Sequence, residues 1–500
     1  MHIILSGIDK VLLNFFLVPT IMLILLFIIF LTLFSTNYFF NKFYKHISVY
    51  LLYVCLIFFL LFTTLENETS LLKNKSCIFL YSFFKQVQIK INLDGISLVF
   101  IFLTLIVTLL CYFFNWDNLV FKHRSYFLFL LLTCTFLILA FSMLDIFLFY
   151  FFFESVVIPV FLLIGIWGSR IRRIYASYSF ILYTLFSSLL MFLGVLYFFD
   201  RIGNSDYDML INSNFFQGLT KLEQKYLWIL FFFTFSSKIP MVPLHIWLPE
   251  AHVEAPTTGS VILASILLKL GVYGILRYSL TLFPWACFYY APLVYTLSCI
   301  SVIYASSTAI RQIDFKKIIA YASIAHMNII VLGLFCNQSI GIEGAILQSL
   351  SHGVVSSALF FLIGIIYERY HSRIISYFSG IVYIMPIYTL FFFLFTLANM
   401  GLPLTANFIG EFLILNGIAN NNFFIAAISC IGMLLGSIYS LRLYNKVSFG
   451  NIKKQLLINN RDINLKELVV LTILLVFNVL IGLCPQVFLN LMFEQSHIYI

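Results

Sequence analysis

Six ionisable side chains stand inside long apolar stretches: Glu154 in FYFFFESVVIPV, Lys238 in TFSSKIPM, Lys269 in ASILLKLGV, His326 in SIAHMNII, His352 in SLSHGVVSS and Glu411 in NFIGEFLIL. Carboxylate, amine and imidazole are the groups that take up and release protons in general acid–base chemistry. Lys238 follows an uncharged run that begins at Tyr226. At 1.5 Å per residue that run places it roughly 18 Å along a helix, close to the middle of a hydrocarbon layer about 30 Å thick. Holding four full charges at such depth costs on the order of 10 kcal/mol, comparable with the whole stability of an ordinary domain. A single buried charge reads as readily as an inert ion pair or a satisfied hydrogen bond. Six on separate spans at similar depth read as a proton pathway. Burial disfavours a charged form and a nearby opposite charge restores it, so Lys238 can alternate between neutral and charged as Glu154 approaches or withdraws. The two histidines titrate near neutral pH and suit a relay.

The elements that hold these residues are membrane helices. The 500-residue chain is 62% hydrophobic and 10% charged, with a mean hydropathy of +1.03. That balance excludes a soluble globular domain. Apolar runs of about 20 residues recur along it, the length of a membrane-crossing helix. They are continuously apolar rather than alternating, which selects helices over a barrel. Cuts at charged or Gly/Pro/Asn-rich breaks give an all-α polytopic membrane protein of about fourteen spans: 17–39, 49–65, 95–115, 126–144, 145–166, 176–199, 226–248, 258–280, 290–310, 316–336, 344–366, 382–416 (interrupted), 423–448 and 466–490. Loops after odd-numbered spans carry roughly twice as many Lys and Arg residues as the others, which sets them on the cytoplasmic or matrix side.

Two spans are broken. Pro240 and Pro243 follow Lys238, and Gly401, Pro403 and Asn407 precede Glu411. Proline removes a helix donor, and transporters place ion sites at such interruptions in corresponding positions of two repeated halves. The separations Glu154 to His326 and Lys238 to Glu411 differ by one residue. Spans four to eight (126–280) then correspond to spans nine to thirteen (290–448), odd in number, so that the two five-helix repeats are inverted. Residues 1–125 supply the first three spans and 466–500 the last. The same offset carried from Lys269 lands near Arg442, close to a helix end, where a snorkelling role competes with a functional one. Asp145 reads as a helix end.

Other chemistries find no support. The nine cysteines are scattered, with no C-x-x-C, so neither a disulfide framework nor a metal or iron–sulfur centre is expected. No Gly-rich phosphate loop occurs. The formal charge of +9 is dispersed among short loops, which fits membrane topology rather than nucleic acid. His245, Glu250, His252 and Glu254 lie in PLHIWLPEAHVEAP, where prolines spoil the regular H-E-x-x-H geometry of a zinc helix; a wet vestibule or structural turn is expected there. The N-terminus shows neither a cleavable signal nor an Arg-rich transit peptide. The wealth of Phe, Ile, Tyr, Asn and Lys suggests an AT-rich coding genome such as organelles carry.

With these residues in place, the chain resembles the chain 4 family of antiporter-like subunits of mitochondrial NADH:ubiquinone oxidoreductase, respiratory complex I. The segments FFFESVVIPVFLLIGIWGSR, KIPMVPLHIWLPEAHVEAPTTGSVILASILLKLGVYG, RQIDFKKIIAYASIAHMN, LSHGVVSSALFFLIG and LANMGLPLTANFIGEFLILNG carry the likeness, which runs from about Asp94 to Pro485. The resemblance implies fourteen core helices, inverted five-helix repeats and proton translocation driven by quinone chemistry elsewhere. It implies that Glu154 and Lys238 form a modulating pair, Lys269 is the central lysine, His326 and His352 are relay histidines, and Glu411 stands near proton exit. It also implies a location in the mitochondrial inner membrane, other membrane-arm subunits and lipids as partners, and no cofactor in this chain, with NADH, FMN, iron–sulfur clusters and ubiquinone in other subunits. Arg442 is the departure, since the family pattern leads one to expect an uncharged residue there. A subunit of a multicomponent sodium/proton antiporter is the runner-up. A scaffold whose buried charges only fix helix register is the third reading.

Overall fold

The computed structural model describes residues 82–84, 87–88, 90–91, 93–115, 123–212, 219–453 and 461–490. The expected spans 17–39 and 49–65 lie outside them. The helices, in chain order, are α1 Gly95–Phe114, α2 His123–Ser142, α3 Ile146–Ser155, α4 Val157–Trp167, α5 Arg173–Ile202, α6 Tyr207–Asn212, α7 Lys221–Lys238, α8 Trp247–Glu254, α9 Thr257–Leu280, α10 Pro284–Arg311, α11 Phe315–Leu334, α12 Ser339–Tyr370, α13 Pro386–Asn399, α14 Ala406–Asn421, α15 Phe423–Ser448 and α16 Leu465–Leu483. Ten spans among the described residues are long and apolar enough to cross a membrane, with α3 and α4 together making one of them. The only strand pairing among the described residues is a short antiparallel one between Ser82–Phe84 and Val87–Gln88.

The chain divides into two compact units. The first takes the described parts of Met1–Leu163 and Ser188–Gly218, and the second takes Ile164–Ser187 and Leu219–Ile500. In the first, Asp145 caps α3, its carboxylate accepting from the amides of Phe147 at 2.8 Å and Leu148 at 3.4 Å. That is the usual use of an aspartate at a helix start, and Ser205 Oγ donates to the same oxygen. Lys90 and Asp206, both nearly dry, form an ion pair that the sequence pattern did not single out.

In the second unit both interruptions fall at the expected residues. The helix α7 stops at Lys238 and the chain resumes helical form at Trp247, across the stretch that holds Pro240 and Pro243. Lys238 therefore occupies the last turn, where the partial negative charge of the helix end favours a cation. The interrupted span 382–416 resolves into α13 and α14, joined through Gly401 at φ +74°. The amide of Ala406, at the start of α14, donates to Asn478 Oδ1 of α16 at 3.3 Å, which supplies the cap that Thr405 does not, since its hydroxyl donates to Leu402 O.

Close helix approach sets the geometry around Glu411. A Cβ added to Gly344 of α12 would lie 2.7 Å from Leu413 Cβ, and one added to Gly410 of α14 would lie 2.8 Å from Gln348 Cα. In a membrane, helices associate through packing at such small residues rather than by hydrophobic exclusion. The Gly344 and Gly410 contacts hold α12 against α14.

Candidate functional site

The lysine of α9 sits beside a widened turn. Leu263–Leu267 is a π-helical segment, and Lys269 Nζ reaches back to donate to Ala264 O at 2.8 Å. Such π-bulges are frequent at functional sites. The same Nζ lies 2.9 Å from His352 Nδ1 of α12. The ring of His352 lies 5.7 Å, centroid to centroid, from that of His326 on α11. His326 Nδ1 is in turn 3.1 Å from Glu411 Oε1 of α14, within ion-pair distance but off the line of a hydrogen bond. Four of the six residues singled out from the sequence are thus gathered on four helices, each at most 6% exposed.

Glu411 is held by Gln348, which the sequence reading passed over, and by Gly401, which it read only as a helix break. Gln348 Nε2 donates to its Oε1 at 3.1 Å. Gln348 lies four residues before His352, on the same helix face, so helical spacing was the signal that could have found it. Gly401 is the second. A Cβ there would lie 2.7 Å from Glu411 Oε2, on a backbone with positive φ that only glycine adopts without strain. Gly401→Ala is expected to lower the stability of the subunit by about 1–2 kcal/mol from the left-handed backbone alone and to displace the carboxylate. A lowered melting temperature of the solubilised assembly checks this; an unchanged one contradicts it.

The remaining two residues are described each within its own unit. Glu154 belongs to the first unit, half-buried near the end of α3, with both carboxylate oxygens out of reach of solvent. Lys238 belongs to the second and is fully buried.

The PLHIWLPEAHVEAP segment is built as structure. Glu250 pairs with Arg172 at 3.2 Å and Lys317 at 3.6 Å. His245 meets the Tyr304 ring edge-on at 5.2 Å. His252 is buried and stacks on Phe360 at 4.9 Å. The buried Arg373 guanidinium donates to Val253 O and lies 3.6 Å from Glu254, while Lys316 Nζ donates to Ala255 O at 2.7 Å. Arg172, Lys316, Lys317 and Arg373 come from loops, or the helix starts beside them, that the charge count assigned to one face, and all four meet this segment. No group of three or more His, Cys, Asp or Glu suited to a metal occurs among the described residues.

Residues 142–425 match the family model described as NADH:quinone oxidoreductase/Mrp antiporter, TM. A relative from Marchantia polymorpha, NADH-ubiquinone oxidoreductase chain 4, is 49% identical over 409 residues, covering 82% of each chain. Among solved structures, a chain of the respiratory complex I from Thermus thermophilus with bound NADH superposes with a TM-score of 0.84 at 24% identity, over 96% of this chain and 98% of that one. A chain of the Mrp complex from Dietzia sp. DQ12-45-1b gives the same score of 0.84 at 18% identity, over 97% and 99%. The fold is therefore shared by both kinds of assembly, and the family is shown by the 49% identity to the chain 4 relative.

Proposed function

Because this chain belongs to the chain 4 family of antiporter-like membrane subunits of NADH:ubiquinone oxidoreductase, we propose that it moves protons through the line Lys269, His352, His326 and Glu411. It is a proton-translocating subunit of the enzyme complex with a helical, polytopic fold. The observation that carries the pathway is the run of contacts from Lys269 Nζ to His352 at 2.9 Å and from His326 to Glu411 at 3.1 Å.

In this reading Lys269 holds a proton against Ala264 O and passes it to the lone pair on His352 Nδ1. Transfer between the two imidazoles, whose ring centroids are 5.7 Å apart, runs directly or through one water, and His326 delivers the proton to the Glu411 carboxylate. His326 Nε2 and both amide atoms of Asn407 are buried with no hydrogen-bond partner among the described residues; polar groups of this kind are the ones ordered water satisfies. Asn407 precedes Glu411 by one helical turn, so water bound to it would continue the line beyond the carboxylate. Glu154 and Lys238 set the charge state of the central lysine, and the repeats 126–280 and 290–448 are related by inversion. The subunit works in the mitochondrial inner membrane beside other antiporter-like subunits, while NADH, FMN, iron–sulfur clusters and ubiquinone are handled by other subunits.

The sodium/proton antiporter reading is separated by the ion. Vesicles holding the purified complex and driven by NADH are expected to acidify to the same extent in sodium-free potassium medium as in sodium medium. A requirement for sodium would move the assignment to the runner-up.

A further inference from the structure

Arg442 does not join the buried line. It is exposed near the end of α15 and lines a cavity of about 430 Å³ with Arg311, Lys446 and Lys453. Ile310, Ile318, Phe378 and Leu443 give it an apolar lining, and no acidic side chain among the described residues lines it. Four cations around one hollow repel one another unless an anion sits among them. Capping of the α10 and α15 C-termini accounts for one cation at each helix end, and Lys453 is occupied with Ser376 O. Arg442 is not needed for either task.

We propose that this cavity binds the phosphate headgroup of an anionic phospholipid. The volume lies within the range of ligand pockets, and the cavity opens at the helix ends that the Lys and Arg distribution assigns to the inner face, where basic pockets between helices hold anionic headgroups. The choice of lipid over free phosphate comes from the helix surface below the cations. Leu434 and Ile438 of α15, 66% and 50% exposed, follow one face down from Arg442. On α10, Ile300 and Tyr304 descend in the same way from Arg311, and the two helices are packed so closely that a Cβ on Gly432 would lie 2.1 Å from Val302. A charged pocket continued by an apolar lane is shaped for a headgroup and its acyl chains.

The test uses the intact complex in vesicles doped with a photoactivatable anionic phospholipid, comparing the wild type with Arg442→Gln/Lys446→Gln in this chain. The label is expected on the peptide bearing Tyr439 to Lys446, reduced about thirtyfold in the double variant, the loss that two interfacial cations imply. The Arg442→Lys/Lys446→Arg variant restores it. Phosphatidylglycerol competes for the label; phosphatidylcholine and inorganic phosphate do not. Native gels and NADH:ubiquinone turnover are expected to be unchanged in all variants, so a lost label is not lost assembly. Equal labelling in the double variant overturns the proposal. Competition by phosphatidylcholine shows ordinary annular lipid and competition by inorganic phosphate a free-anion site; either overturns it, as does protection of these residues by an acidic segment of a neighbouring subunit.

Discussion

Glu411→Gln is expected to leave the complex assembled while lowering NADH-driven proton transfer through this subunit by about 100-fold, the lower range for removal of an acid–base group. Glutamine matches glutamate in shape and keeps a carbonyl oxygen to accept from Gln348 Nε2, which now donates at 3.1 Å. It also keeps clear of the Gly401 backbone, whose absent Cβ leaves room beside Oε2. What it loses is the group that, on the proposed pathway, takes a proton from His326, 3.1 Å away. Acidification of vesicles measured against quinone turnover, with native gels for assembly, reads both halves of the expectation. Normal pumping with normal assembly would remove Glu411 from the pathway; normal pumping efficiency with poor assembly would favour the scaffold reading.

Lys269→Arg is the second large effect, and it is the more discriminating because it keeps the charge. Arginine preserves the cation and the capacity to donate to Ala264 O and His352 Nδ1, but it stays protonated at any physiological pH. A lysine that only fixes helix register tolerates this change. A lysine that releases its proton to His352 does not, and pumping through this subunit is expected to fall by about 100-fold, as for Glu411→Gln. Lys269→Met provides the companion measurement. It removes the proton carrier and the cost of burying a charge but leaves His352 Nδ1 without its donor, so the subunit is expected to lose no more than about 1–3 kcal/mol of stability, with pumping equally reduced. Recovery of full pumping in either variant would exclude proton storage on Lys269.

Much of this protein was legible in its sequence, because a membrane imposes its rules locally. Every backbone polar group in lipid must be satisfied within its own helix, so helix bounds follow hydropathy: 423–448 is α15 residue for residue, and 95–115, 258–280 and 316–336 differ from α1, α9 and α11 by two residues or fewer at each end. Ionisable side chains in such helices are costly wherever they sit, so Lys269, His326, His352 and Glu411 were identifiable one at a time. Their assembly was not, since separations between helices are decided by packing. The sequence could not say that Gly344 and Gly410 bring α12 onto α14, that Gln348 thereby reaches Glu411, or that Gly401 makes room for the carboxylate. Nor could a repeat offset say where Arg442 points: a spacing along the chain ranks it with Lys269, whereas the tertiary structure leaves it exposed among three other cations at the end of α15. Burial inside a helix is a one-dimensional property and can be read from the chain, but which buried groups touch depends on how whole helices fit together in three.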